Sequence, residues 1–138
     1  MRTALDSAIL IDVLQPHKIF GPASKQALQN AWKTGSILVC DIAWAEIRAA
    51  FPHASQFSLA IAEIGIVFDP LKEASAELAG ALWREYRRRG GVRQAHVVAD
   101  FLIGAHALLQ ADALLTRDRG FYRDYFRNLK IIDPSRPV

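Results

Sequence analysis

The chain has 138 residues, 51% of them hydrophobic and 22% charged, with one cysteine, a net charge of +3 and a pI near 9.3. That is enough apolar material for one compact domain with a real core, and it argues against a disordered chain. No apolar run approaches the roughly 20 residues that cross a bilayer, and a lone cysteine can form neither an internal disulfide nor a thiolate cage. Asp6 and Asp12 interrupt the only N-terminal apolar stretch, so no secretory signal is expected and the cytoplasm is the expected compartment. The charge is unevenly spread: residues 84–130 hold ten Lys/Arg against five Asp/Glu, a local +5, while the rest hold seven against nine, or −2. A basic surface concentrated in this way attracts polyanions such as nucleic acid.

The pattern predicts a first strand over 2–5, a turn at Asp6-Ser7 and a helix over 8–14 that Pro16 ends. A helix starting near Pro22, with Ala27, Leu28, Ala31 and Trp32 on one face, runs to Gly35. A buried strand over 36–40 follows, with Cys40 as a core thiol and Asp41 as the cap of a helix over 42–51. Residues 54–64 read as a helix and 66–68 as a strand closed by Asp69-Pro70. A long helix over 71–89 carries Leu71, Ala74, Leu78, Leu82 and Tyr86 on one face and gathers arginines at its end. Gly90-Gly91 breaks it. An apolar helix over 97–110, a strand over 113–116, a turn and short helix over 118–127 and a strand over 130–132 complete the chain. Short apolar strands alternating with helices predict an α/β fold: a three-layer α/β/α sandwich around a mainly parallel sheet of four or five strands. No linker or repeat divides the sequence, so residues 1–138 are expected to form a single domain.

Ligands of open parallel sheets bind outside the carboxyl ends of the strands. Three predicted strands end in an acid: Asp6, Asp41 with Glu46 five residues on, and Asp118. A further acid, Asp100, lies in the apolar helix VVADFLIGAHALL, where a lone charge calls for a partner; Gly104, one turn on, is expected to leave space above it. Carboxylates gathered on one surface repel one another unless a cation or proton neutralises them. Oxygen donors without thiolates suit Mg²⁺ or Mn²⁺. Taken singly, Asp6 and Asp41 also read as helix caps, Glu46 as a solvated helix residue and Asp118 as a turn residue. His106 reads as a hydrogen-bonded structural histidine, and no HExxH or HxH spacing recruits His17, His53 or His96 to a metal.

The segments LDSAILIDVL (5–14), AWAEI (43–47), ADFLIGAHAL (99–108) and LLTRDRGFYRDYF (114–126) resemble the four characteristic blocks of the PIN-domain family, and more narrowly those of VapC-type toxin ribonucleases from bacterial toxin–antitoxin pairs. The resemblance implies that Asp6, Glu46, Asp100 and Asp118 chelate Mg²⁺ or Mn²⁺, with Ser7 and Thr116 supporting them. It implies metal-assisted, in-line hydrolysis of RNA, leaving a 5′-phosphate and a 3′-hydroxyl. Arg87, Arg88, Arg93, Arg117 and Arg119, with the other arginines from Arg84 to Arg127, would hold the phosphate backbone. For Arg87–Arg89, interaction with the helix dipole is an equally good account.

A small cognate antitoxin and a toxin homodimer are the implied partners, with Trp32, Trp44, Tyr122, Tyr125 and Phe126 as candidate contacts or simply core. Ala8 stands where many relatives carry Asn or Ser, so a polar contact from that position is absent. The alternative is a PIN-like module that binds RNA or protein without cutting. A receiver or haloacid-dehalogenase-like domain lacks its paired acids here, since Ser7 and Ala8 follow Asp6, and no GxGxxG follows the first strand.

Overall fold

The computed structural model describes residues 1–15, 17–91 and 97–135. Three buried tripeptides, TAL, ILV and ALL, form β1 (Thr3–Leu5), β2 (Ile37–Val39) and β4 (Ala113–Leu115); the shorter β3 (Val67–Phe68) and β5 (Ile131–Ile132) flank them. The five-stranded sheet has the order β3-β2-β1-β4-β5, and every pairing is parallel. The predicted α/β/α architecture is therefore present, with the sheet at the upper end of the expected strand count. Its helices are α1 (Ser7–Leu14), α2 (Gly21–Thr34), α3 (Asp41–Ala49), α4 (Ala54–Ile64), α5 (Glu73–Arg88), α6 (Val97–Gln110) and α7 (Arg119–Tyr125).

The chain moves outward from β1 to β2 and β3, then returns to the other side of β1 for β4 and β5. Strand order therefore reverses between β1 and β4, whose registers pair Thr3 with Ala113 and Leu5 with Leu115. Such a reversal opens a crevice at the strands' carboxyl ends, because the two following helices leave on opposite sides. Asp6 directly follows β1, and Thr116 directly follows β4.

Three local expectations change. The long helix begins at Glu73 rather than residue 71: Lys72 keeps the extended backbone of an N-cap residue, and distant side chains hold the segment leading into it. Asp41 Oδ1 accepts from Leu71 N–H at 3.2 Å, and Gln110 Oε1 accepts from Lys72 N–H at 2.9 Å. Asp41 is accordingly not the cap of α3: Cys40 holds that position, and Asp41 braces the loop before α5. The predicted inward face of α5 keeps Leu78, Leu82 and Tyr86 and gains Ser75 and Ala79, while Ala74 is exposed; the Ser75 hydroxyl is satisfied by Gln110 Oε1 at 2.8 Å.

Gly104 does not leave open space. A Cβ there would lie 2.5 Å from the ring of Phe126, which is buried against α6. Pro16, expected to end α1, lies outside the described residues; α1 closes with Gln15 N–H donating to Ile11 C=O. Gly65 ends α4 in the left-handed conformation that a residue lacking Cβ adopts at low cost.

The core joins Leu5, Ile9, Leu10, Ile37, Phe101 and Leu114 with the fully buried Tyr122 and Phe126. Those last two belong to the core rather than to an exposed partner surface. Trp44 packs edge-on against Phe57 and Phe68, whereas Trp32 is 63% exposed. Cys40 is buried as expected, and desolvation pushes its thiol up to about 11. Among the described residues, no helix is long and apolar enough to cross a membrane.

Candidate active site

Asp6 has the extended backbone of a residue preceding a helix, but its side chain does not cap α1. Its Oδ2 instead accepts a hydrogen bond of 2.8 Å from Thr116 Oγ1, across the switch from β1 to β4. The same Thr116 hydroxyl accepts from the Asp118 backbone N–H at 3.0 Å. One buried hydroxyl therefore sets two of the predicted acids beside each other. On the neighbouring side, Ser7 Oγ donates to Glu46 Oε1 at 3.1 Å, tying α3 to the start of α1. Each hydroxyl named from the sequence thus hydrogen-bonds one of the four acids. Asp100 stands in the first turn of α6, partly buried like Asp6, Glu46 and Asp118.

Burial raises the Asp6 carboxyl above its ordinary value; the Thr116 hydrogen bond opposes that shift, and the Asp118 charge adds to it. All four acids also bear on one phenol. Tyr122 is pushed well above the usual tyrosine range, first by burial and then by the charges of Asp6, Asp100, Asp118 and Glu46. Among the described residues, no three His, Cys, Asp or Glu side chains form a ready-made ion cage. The donor chemistry nevertheless fits a hard divalent cation: four carboxylates, no thiolate among them, and a raised Asp6 carboxyl that a cation would relieve.

The arginines divide into different environments. Arg117 grips Asp12 with both Nε (2.8 Å) and Nη2 (3.1 Å), and its guanidinium lies 4.0 Å from the Phe20 ring centroid. Its polar capacity is thereby largely taken up by α1 and the segment before α2 rather than turned outward. Arg88 pairs with Glu85 at 2.7 Å and Arg87 lies 4.7 Å from the Trp83 ring centroid; both arginines are exposed at the end of α5. Arg93 and the Arg119 side chain lie outside the described residues.

Asp12 is the residue that reading the sequence missed. It is only 4% exposed and accepts from Ser24 Oγ at 3.0 Å as well as from Arg117. The signal was available, since Asp12 is a lone charge in an apolar helix, the same feature that singled out Asp100. His106 is structural as expected: its Nε2 lies 2.8 Å from Asp69 Oδ2, which also accepts from Gln110.

A three-layer parallel sheet with acids at its switch point defines a doubly wound α/β domain, and the sequence fits one family model, the PIN domain, over residues 3–126. The chain belongs to the PIN-domain family. In fold it is similar to VapBC2 from Rickettsia felis bound to a promoter DNA fragment, with a TM-score of 0.74, 19% identity and coverage of 96% of this chain and 98% of that one. It is similar also to VapBC-1 from nontypeable Haemophilus influenzae, with a TM-score of 0.70, 18% identity and coverage of 99% and 100%. FitAcB from Neisseria gonorrhoeae gives a TM-score of 0.67 at 21% identity, covering 98% and 99%. Among curated proteins, none matches the sequence.

Proposed function

We propose that this protein is the toxin of a toxin–antitoxin pair of the VapC type, and that it is a metal-dependent endoribonuclease. The observation that carries the proposal is the Thr116 bridge, which couples Asp6 to Asp118 where the strand order reverses. Asp6, Glu46, Asp100 and Asp118 would hold a divalent ion, Mg²⁺ or Mn²⁺. Bound there, such an ion neutralises charge on a phosphodiester and makes water nucleophilic near neutral pH.

The chain's own residues prepare the site. Thr116 fixes the spacing of Asp6 and the Asp118 backbone, while Ser7 holds Glu46 from the other side. The partly dry setting around Asp6 strengthens any charge interaction made inside it. Exposed Arg87 and Arg88 lie at the end of a helix, suited to the phosphate backbone of RNA and to a salt-sensitive contribution to affinity. Arg93 and Arg119 remain part of this proposal on sequence grounds.

The antitoxin reading rests on the structural neighbours, which are VapBC and FitAcB structures. A cavity of about 500 Å³ bounded by Val13, Leu14, Leu28, Trp32 and Ile64, with Lys25 and Glu63 beside them, is a suitable apolar seat for an antitoxin helix. A homodimer and a cytoplasmic setting, where RNA and antitoxin would both be met, belong to the same proposal.

Purified protein free of antitoxin should cut structured RNA with Mg²⁺ or Mn²⁺, should lose that activity with chelator, and should lose it in Asp100→Asn. An Asp100→Asn variant that cuts as fast as its parent would overturn the carboxylate assignment. The lack of a ready-made ion cage among the described residues favours one second reading, a module that retains RNA uncut. A retarded but intact RNA band, whatever the metal, is the result that would select it.

A further inference from the structure

Tyr122 lies one turn beyond Asp118 in α7, with its backbone N–H 3.5 Å from the Asp118 carbonyl oxygen. The residue has no exposed surface, and its ring is packed against Phe121 and Phe126 with centroids 5.2 and 6.0 Å away. Its hydroxyl is fully buried and has no hydrogen-bond partner among the described residues. A phenol oxygen that is out of water and unpaired costs free energy, which a phenylalanine at the same position would avoid. The surroundings give the hydroxyl a direction to act in, because the charges of Asp6, Asp100, Asp118 and Glu46 all bear on it. A phenol carries one O–H to donate, which suits an otherwise acceptor-rich site.

We propose that the Tyr122 hydroxyl is a positioning donor of the cation site, hydrogen-bonding a carboxylate or a water of the bound ion when a divalent cation enters between the four acids. The inference rests on the metal-dependent reading of those acids and adds a residue that is neutral, buried and on a different element from three of them. Groups that orient a metal's ligands change affinity by about 10- to 100-fold when removed, without themselves touching the ion.

Calorimetric titration of the full-length parent and of Tyr122→Phe with MnCl₂ and MgCl₂ tests this, alongside thermal melts and near-ultraviolet difference spectra with and without cation. The expected result is a variant that melts at or above the parent temperature in chelator but binds Mn²⁺ about tenfold more weakly. Cation should also perturb the tyrosine absorbance of the parent, and that perturbation should vanish in Tyr122→Phe although Tyr86 and Tyr125 remain. Equal Mn²⁺ affinity in parent and variant would overturn the role of Tyr122 while leaving the cation site standing. A variant that melts well below the parent in chelator would also overturn it, by revealing a structural bond. A parent that takes up neither Mn²⁺ nor Mg²⁺ would overturn the cation site and this inference together.

Discussion

At the scale of single residues, the site is organised by hydroxyls as much as by acids. Thr116 donates to Asp6 and accepts from Asp118 N–H, so its oxygen uses both roles at once. Thr116→Val keeps the shape but removes both bonds, which should cost about 1–3 kcal/mol in chemical denaturation and strongly reduce RNA cleavage. Thr116→Ser should restore most of each, which separates loss of the hydroxyl from loss of packing. Asp6 poses the opposite problem, a carboxylate whose ionised form burial disfavours. Asp6→Asn should therefore raise the melting temperature of the metal-free protein while abolishing cation-dependent cleavage; a lowered melting temperature would contradict the burial argument. Cys40 gives a pH test with a definite sign. Its folded-state pKa, about 11, lies above the ordinary value of 9.0, so the unfolded chain releases the thiol proton first as pH rises. Stability should be unaffected by this group below pH 9 and decline between 9 and about 11, a decline that Cys40→Ala removes in urea melts.

Secondary-structure elements were legible where periodicity governed them and less so where side chains overrode it. The buried tripeptides and the helices on either side of them follow directly from apolar runs and their breakers. The start of α5 does not: Asp41 and Gln110 reach from distant positions to hold the N–H groups of Leu71 and Lys72. No local pattern in residues 71–73 encodes those partners. The same holds for Gly104, whose role is to admit the Phe126 ring from beyond α7, not to expose Asp100. Gly104→Ala should consequently destabilise the fold by about 1–3 kcal/mol through overpacking, measured by thermal or urea unfolding. The Asp12–Arg117 pair links α1 to the loop after β4. Truncating Asp12 to Ala leaves Arg117 and Ser24 without their acceptor; since Arg117 retains partial exposure, the expected cost is about 2 kcal/mol, below that of a fully buried pair. The four acids and the hydroxyls of Ser7 and Thr116 were nameable from the strand ends and the family blocks, but which hydroxyl meets which acid required the register of β1 against β4 and the packing of α1 on α3.

For the whole molecule, the modest net charge of +3 averages a small group of partly buried acids with a basic remainder. Setting aside Asp6, Glu46, Asp100 and Asp118, ten acids face seventeen Lys/Arg, a balance of +7. RNA binding should therefore weaken steeply with salt, and charge reversal at the exposed Arg87 and Arg88 should flatten that slope without altering the fold; filter binding across a salt series measures it. The strand order has a consequence in time as well as in space. The Thr116–Asp6 bond joins residues 110 apart in sequence, and Asp118 follows two residues later. A chain emerging from the ribosome thus carries Asp6, Glu46 and Asp100 well before it carries the strand that completes their setting. Parallel pairing of β1 with β4 must await synthesis through Leu115, which places this among slow, non-local closures. A crevice assembled in this order exists only once β4 has been made and paired with β1, so nothing that needs all four acids together can begin on a shorter stretch of the chain.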